Sequence, residues 1–367
     1  MKRILYLMLI AAPIAVILDF FFHESVSPVV IFILAAIALI PLADFIGEAT
    51  EELAHYTGPR LGGLLNATLG NAAELIITIL AINKGLLDLV RASITGSILG
   101  NLLLVLGASL LLGGLKNGMQ TFDRRTSSLN ATLLVLALVA LTIPTLFDRA
   151  LQAQPNSELL FNEGVAVVLI VIYGLSVVYG FQTNKGPVSE EAGPAVLSTQ
   201  EMEAAEPHKK ARWSIRTSVL VLIGATVGTA LLSEILVGAV EPVTQQLGLT
   251  EFFLGIILIP LIGNIAEHLV AVEVALKNKM ELSLAVSLGS SIQIALFVAP
   301  VLVFISLLMG QRLLLVFTDF ELIALAGATL VGALIAQDGE SNWLEGAMLL
   351  AVYLIIGLAF FFLPAHA

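Results

Sequence analysis

The sequence contains no cysteine and few charged residues. Among its 367 residues the absence of cysteine excludes disulfide bonds, thiolate metal ligands and cysteine nucleophiles. Charged side chains make up 12% of the chain, about half of the roughly 25% that is usual in soluble domains. No stretch of lysine and arginine is dense enough for a nucleic-acid patch, so we expect no nucleic-acid partner. The composition therefore excludes a water-soluble fold.

Long apolar segments take the place of the missing charge. Hydrophobic residues make up 58% of the chain, and the mean hydropathy is +0.99. A membrane-spanning helix needs about 20 mostly apolar residues. Runs of this kind between glycines, prolines and charges predict eleven transmembrane helices, at 4–22, 27–53, 61–83, 86–112, 127–147, 160–181, 214–239, 251–276, 282–309, 316–336 and 343–363. The predicted class is an all-α polytopic membrane protein in a lipid bilayer.

The positive charges predict an orientation. If the N-terminus is cytoplasmic, 13 of the 17 lysines and arginines fall on the cytoplasmic side of these helices. This asymmetry is the one that cytoplasmic loops normally show. We therefore expect a cytoplasmic N-terminus, a C-terminus on the opposite side, and a first helix that is retained. The expected location is a prokaryotic plasma membrane or an organellar membrane.

A repeated motif divides the chain into two related halves. The pentapeptide GNAAE at 70–74 recurs as GNIAE at 263–267, which is 193 residues later, and the same offset aligns Glu48 with Glu241. Each half then contains five helices. Because five is odd, the second half is inverted in the membrane relative to the first, which is the architecture of many secondary transporters.

The repeat predicts four parts of the chain. They are an N-terminal transmembrane helix (1–26), a first five-helix repeat (27–181), an acidic cytoplasmic linker (182–213) and a second, inverted five-helix repeat (214–367).

Each half has one glutamate near the middle of an apolar helix, Glu74 in the first half and Glu267 in the second. A charged side chain at that depth costs about 2.5–3.5 kcal/mol on insertion scales, so a pair of them indicates a function. Glycines before each motif are expected to loosen the helix and expose backbone carbonyls. Carboxylates, carboxamides and hydroxyls surround the motifs, and the predicted ligand residues are Glu74, Glu267, Asn71, Asn264, Gly70, Gly263, Ser97, Asn101, Ser290 and Gln293.

All of these ligands are oxygen donors, which suits Ca²⁺ better than Zn²⁺ or Mg²⁺ and leaves Mn²⁺ and Na⁺ open. When the cation leaves, burial and like charge disfavour two ionised carboxylates, so protons can replace the cation. We therefore predict proton coupling through Glu74, Glu267 and His268. The alternatives are a hydrogen-bonded, purely structural glutamate and a His268 that only bonds Glu267.

Further acids lie towards the ends of the second and seventh predicted helices. Glu48, Glu51, Glu234 and Glu241 are spaced to share helix faces and predict a vestibule that attracts cations. Solvated helix ends are the alternative. Neither a hydrolase motif nor a phosphate-binding loop is present, so we expect no enzyme and no cofactor.

The motifs resemble those of the cation/proton exchanger family in the calcium/cation antiporter superfamily. The resemblance covers GSILGNLLLVLG at 96–107 and GSSIQIALFVAP at 289–300 as well as the two pentapeptides. It implies Ca²⁺/H⁺ antiport by alternating access, with Glu74 and Glu267 as the exchanging ligands. Na⁺/Ca²⁺ exchange, exchange of another divalent ion such as Mn²⁺, and a passive cation channel are the alternatives, and a homo-oligomer is left open.

Overall fold

The computed structural model describes residues 2–151, 155–183 and 211–363. Most of the predicted acidic linker, 184–210, lies outside the described residues. In chain order the helices are α1 Lys2–Met8, α2 Ala11–Phe22, α3 Pro28–Leu69, α4 Ala72–Asn83, α5 Leu87–Leu99, π1 Gly100–Val105, α6 Leu106–Asn117, α7 Arg124–Leu151, α8 Pro155–Thr183, α9 Ile215–Gly238, α10 Val240–Leu247, α11 Glu251–Phe253, π2 Leu254–Leu258, α12 Ile259–Leu276, α13 Met280–Gln293, π3 Ile294–Val298, α14 Ala299–Leu308, α15 Asp319–Asp338 and α16 Trp343–Phe362.

Ten helical stretches of the described residues are long and apolar enough to cross a membrane, and the apolar helix α4 is shorter. The predicted all-α membrane class is confirmed. The predicted helix 61–83 has no single counterpart, because 61–69 belong to α3 and the rest forms α4 after a turn. The count of eleven spans stays a prediction.

Helix α3 continues through the interruption that we predicted between 53 and 61, so that prediction is wrong. Its 42 residues make it about 63 Å long at 1.5 Å per residue, roughly twice the ~30 Å of the hydrocarbon layer. The polar residues here do not end the helix because their side chains have partners. Thr57 donates to the Leu53 carbonyl of the same helix at 3.3 Å, and the Glu52 carboxylate accepts hydrogen bonds from the chain just before α9. The break falls at Gly70 and Asn71 instead.

The described residues form two compact units, and each unit takes part of both sequence halves. The first unit comprises 2–93, 211–266 and 360–363. Within it α9 packs along α3, and α2, α4 and α10 pack on the same pair. The close approach of α9 to α3 is visible at Gly228, where an added Cβ would lie 3.1 Å from Leu42 Cδ1.

The second unit comprises the described residues of 94–183 and 267–359. Within it α7 packs on α15 and α13, and α14 packs on α8. A two-stranded antiparallel ladder, β1 (Gln120–Thr121) with β2 (Glu340–Ser341), joins the chain after α6 to the chain after α15. Gly339 has φ 78°, a left-handed conformation that glycine adopts without strain, and so it turns the chain from α15 into β2.

Three wide, π-helical turns interrupt the long helices. The offset of 193 residues that relates the two motifs maps 101–105, inside π1, onto π3 (294–298). Backbone geometry at these two places therefore agrees with the sequence repeat. The remaining wide turn, π2, lies just before the second motif.

Candidate cation-binding site

The first motif lies at a helix start. Gly70 and Asn71 form the turn between α3 and α4, and Glu74 lies in the first turn of α4 with 1% of its surface exposed. The Thr78 hydroxyl donates to the Glu74 carbonyl at 2.8 Å, inside the helix. The first turn of a helix has backbone N–H groups without helical partners and attracts negative charge. The predicted loosening of the helix is therefore found at Gly70, where the helix is interrupted.

The second motif has a different backbone. Gly263 and Asn264 lie inside the continuous helix α12, so the loosening predicted at Gly263 is wrong. The irregular backbone lies earlier, in π2. Gly255 in this segment approaches α5 so closely that an added Cβ would be 2.9 Å from the Leu89 carbonyl oxygen. The wide turn is thus held against α5, and the helix is regular again when it reaches the motif.

The first motif and residues 263–266 of the second motif lie in the first unit. A Cβ at Gly263 would lie 3.6 Å from both Cα and Cβ of Glu74, which is ordinary van der Waals contact. The glycine of one motif therefore packs on the glutamate of the other. Asn71 and Asn264, 1% and 2% exposed, are also in this unit.

The second unit contains the other group of predicted ligands. The Glu267 carboxyl faces the Ser290 hydroxyl, and its Oε2 is buried without a hydrogen-bond partner among the described residues. Ser97, Asn101 and Gln293 are all buried, and the Asn101 amide nitrogen has no partner within the described part of the chain. Buried polar atoms are normally hydrogen-bonded. The Glu267 oxygen is therefore suited to a bound cation or water, whereas the Asn101 amide nitrogen only donates and is suited to a water.

His268 lies next to Glu267 and is 8% exposed. Neither of its ring nitrogens has a hydrogen-bond partner in the residues that the structure describes. The alternative in which His268 only bonds Glu267 is therefore not observed.

Among the described residues, no group of three or more histidines, aspartates and glutamates is placed to hold a metal ion. The predicted ligand set adds amide, hydroxyl and backbone carbonyl oxygens to the two carboxylates.

The predicted vestibule acids differ in their surroundings. Glu48 and Glu51 are half-buried on α3, whereas Glu234 and Glu241 are exposed on α9 and α10. The Glu48 carboxylate accepts a hydrogen bond from Arg212 at 3.2 Å. Arg212 also donates to Glu52, and neither of these residues is among the predicted site residues.

On the other helices, the Glu241 carboxylate accepts a hydrogen bond from Gln245 at 3.3 Å. The Lys84 ammonium donates to the backbone carbonyl of Glu234 at 3.4 Å. All four vestibule acids lie in the first unit.

With this geometry described, comparison with known proteins identifies the family. The family model described as sodium/calcium exchanger protein matches residues 27–182 and 217–362. The chain belongs to this family. It is 45% identical to the Ca(2+)/H(+) antiporter of Aphanothece halophytica over 99% of this chain and 97% of the relative. It is 40% identical to the Ca(2+)/H(+) antiporter ChaA of Bacillus subtilis over 99% of this chain and 100% of the relative.

Solved structures agree with this family. The structure of native YfkE has a TM-score of 0.81 at 37% identity, covering 98% of this chain and 100% of that chain. An H⁺/Ca²⁺ exchanger, CAX, has a TM-score of 0.72 at 17% identity, covering 98% and 92%, and shows the fold alone. The predicted placement among the cation/proton exchangers of the calcium/cation antiporter superfamily is confirmed.

Proposed function

We propose that this protein is a secondary active antiporter that exchanges Ca²⁺ for H⁺ across a membrane by alternating access. The observation that carries the proposal is the packing of Gly263 on Glu74, which joins the two repeated motifs. Relatives that match nearly the whole chain are named Ca(2+)/H(+) antiporters, which supports the same activity. We propose no enzymatic reaction and no cofactor, since the ions are the substrates.

Glu74 and Glu267 are the proposed carboxylate ligands, and each has a different source of supporting oxygens. Asn71 and the Gly70 turn directly precede the helix that carries the first acid, Asn264 is buried in the same unit, and Ser290 faces the second acid. Ca²⁺ accepts six to eight oxygens in flexible geometry, which suits this mixed set of donors. Exchange of Mn²⁺ or Na⁺ would use the same donors and is the alternative that a transport assay separates.

Coupling follows from competition for the two carboxylates. A buried carboxylate needs either a cation or a proton to compensate its charge, because an unpaired charge in a low-dielectric interior is costly. Ca²⁺ and protons therefore exclude one another from the site. If the empty, charged site does not reorient across the membrane, this exclusion is enough to link the two fluxes. His268, buried beside Glu267, is the proposed route for protons.

The orientation is proposed from the positive charges, with a cytoplasmic N-terminus and a C-terminus on the opposite side. The inward flow of protons then drives Ca²⁺ out of the cytoplasm, across a prokaryotic plasma membrane or into an organelle.

The test is ⁴⁵Ca²⁺ uptake into proteoliposomes under an imposed pH gradient. We expect uptake by the wild type, and its loss in both Glu74→Gln and Glu267→Gln, because an amide can neither release a proton nor provide a charged ligand. Glu163→Gln is the matched control, because Glu163 is a half-buried acid of α8 outside the candidate site. If either site variant keeps normal proton-driven uptake, that residue is not an exchanging ligand.

Two further measurements separate the alternatives. Uptake that follows a Na⁺ gradient and ignores the pH gradient would identify a Na⁺/Ca²⁺ exchanger. Single-channel currents far above the turnover of a carrier would identify a channel.

A further inference from the structure

Arg212 anchors the chain that enters α9 to an acidic face of α3. Its backbone N–H donates to Glu52 Oε2 at 2.7 Å, and its Nε donates to Glu52 Oε1 at 3.1 Å. The backbone N–H of Trp213 donates to the same Oε2 at 3.1 Å. One turn further along α3, the Tyr56 hydroxyl donates to the Trp213 carbonyl at 2.6 Å. All four residues belong to the first unit.

The same guanidinium also covers a vestibule acid. Its terminal nitrogen donates to Glu48 Oε1 at 3.2 Å, so one arginine contacts two carboxylates on α3. The two contacts differ in their surroundings. The Glu52 side chain is 4% exposed, and its carboxylate accepts bonds from two backbone N–H groups as well. The Glu48 side chain is 12% exposed, and its partner, the Arg212 side chain, is 61% exposed.

This arrangement separates an anchor from a removable contact. Glu52 holds the backbone of Arg212 and Trp213 in place, so the guanidinium stays close when it leaves Glu48. The bond from Arg212 to Glu48 is a partly solvated ion pair made by one terminal nitrogen, and such pairs open at little cost. The ion pair with Glu48 is not needed to attach α9 to α3, because the bonds to Glu52 and from Tyr56 already provide the attachment.

We propose that Arg212 is a specificity-determining residue. Its tethered guanidinium occupies the Glu48 carboxylate, and divalent but not monovalent cations displace it. The proposal rests on the proposed cation exchange, in which Glu48 attracts the incoming ion. A monovalent cation such as K⁺ carries the same charge as the guanidinium but is not tethered, so it competes poorly at ordinary concentrations. A divalent cation doubles the Coulomb attraction to the carboxylate and displaces the arginine.

The test is the Ca²⁺ dependence of pH-driven uptake at two K⁺ concentrations. A bulky organic cation replaces K⁺ to keep the ionic strength constant, since screening alone weakens surface attraction. In the wild type we expect the KM for Ca²⁺ to be nearly independent of K⁺. In Arg212→Gln we expect a KM about two- to fivefold lower without K⁺, the range that loss of one exposed ion pair gives, and a KM that rises when K⁺ is added.

Three further variants separate this role from a structural one. Arg212→Lys keeps the charge and should stay insensitive to K⁺. Tyr56→Phe keeps the charge but weakens the tether, so it should show the K⁺ sensitivity of Arg212→Gln in smaller degree. It also provides the test if the neutral variant does not fold. Arg216→Gln, which removes an exposed arginine in the first turn of α9, should behave as the wild type.

A purely structural Arg212 would lower the maximal rate while leaving the KM independent of K⁺, and that result would overturn the proposal. An unchanged KM with unchanged K⁺ response in Arg212→Gln would overturn it as well. If the wild type itself shows no pH-driven uptake, the proposed function fails before this comparison is made.

Discussion

Gly255 provides a sharp test of how the helix with the second motif is seated. In Gly255→Ala the new Cβ would lie 2.8 Å from Ala92 Cβ and 2.9 Å from the Leu89 carbonyl oxygen. Ordinary contacts of this kind are about 3.5–4.0 Å, so π2 must move away from α5 by more than half an ångström. The Leu89 oxygen belongs to the backbone of a helix and cannot rotate aside.

The expected change in the free energy of unfolding of Gly255→Ala combines two opposing effects. Overpacking of this kind costs about 1–3 kcal/mol, while replacing a helical glycine by alanine returns about 0.5–1 kcal/mol. We therefore expect Gly255→Ala to be less stable than the wild type by about 1 kcal/mol, and by at most about 2.5 kcal/mol. Because the displaced segment leads directly into Gly263 and Asn264, the variant should also transport Ca²⁺ more slowly.

The assay is thermal unfolding in detergent together with ⁴⁵Ca²⁺ uptake, with Gly224→Ala as the matched control. Gly224 is also a helical glycine of the first unit, but nothing lies within 4 Å of the Cβ position. The control should therefore unfold at the same or a higher temperature than the wild type, at full activity. A Gly255→Ala protein that is as stable and as active as Gly224→Ala would refute the reasoning.

Two predictions concern buried or capping carboxylates in the second unit. Glu321 is 2% exposed, accepts from the Thr95 hydroxyl at 2.8 Å, and caps its own helix through Thr318. Glu321→Ala should therefore lower the free energy of unfolding by about 1–3 kcal/mol, because it leaves the buried Thr95 hydroxyl without its acceptor. Thermal unfolding should show a smaller loss when the same change is made in a Thr95→Val protein, which would verify that the two side chains are coupled. Asp123 precedes α7, where hydrogen bonds from the hydroxyl and then the backbone N–H of Thr126 lower its pKa below the ordinary 3.8. Asp123→Ala should lose about 1 kcal/mol at neutral pH. The difference from the wild type should shrink as the pH falls below about 4, since a depressed pKa stabilises the fold only while the acid is ionised; a constant difference down to the lowest pH would contradict this cause.

Much of the membrane architecture could be predicted from the sequence, because it depends on hydrophobicity and spacing. Apolar runs located ten helical stretches to within a few residues, and the offset between the motifs predicted an internal repeat, with which the matching positions of π1 and π3 agree. Both signals are carried by composition and are independent of tertiary contacts.

The helix boundaries around the first motif could not be predicted in the same way. The sequence predicts no helix for 54–60, between the predicted helices at 27–53 and 61–83. What keeps it helical is tertiary, since the Glu52 carboxylate is satisfied by backbone N–H groups 160 residues away. A single sequence holds no local signal of such a contact.

The candidate ligands were found because charged and amide side chains are conspicuous in apolar helices. The difference in backbone conformation between the two motifs could not be predicted, because GNAAE and GNIAE are nearly the same sequence. One begins a helix and the other lies inside one. The wide turns were missed for a related reason, since inserting one residue into a helical turn leaves no change in composition.

The three wide turns have a mechanical consequence. Each holds one residue more than a regular turn, and the surplus can pass along the helix by exchanging one hydrogen bond at a time. Every side chain that the surplus passes then rotates by about 100°, which is one residue's share of a helical turn. A helix built in this way can re-aim its polar groups while both of its ends stay anchored, so the segments at Gly100–Val105, Leu254–Leu258 and Ile294–Val298 give these spans a means of changing what they face without sliding or unfolding.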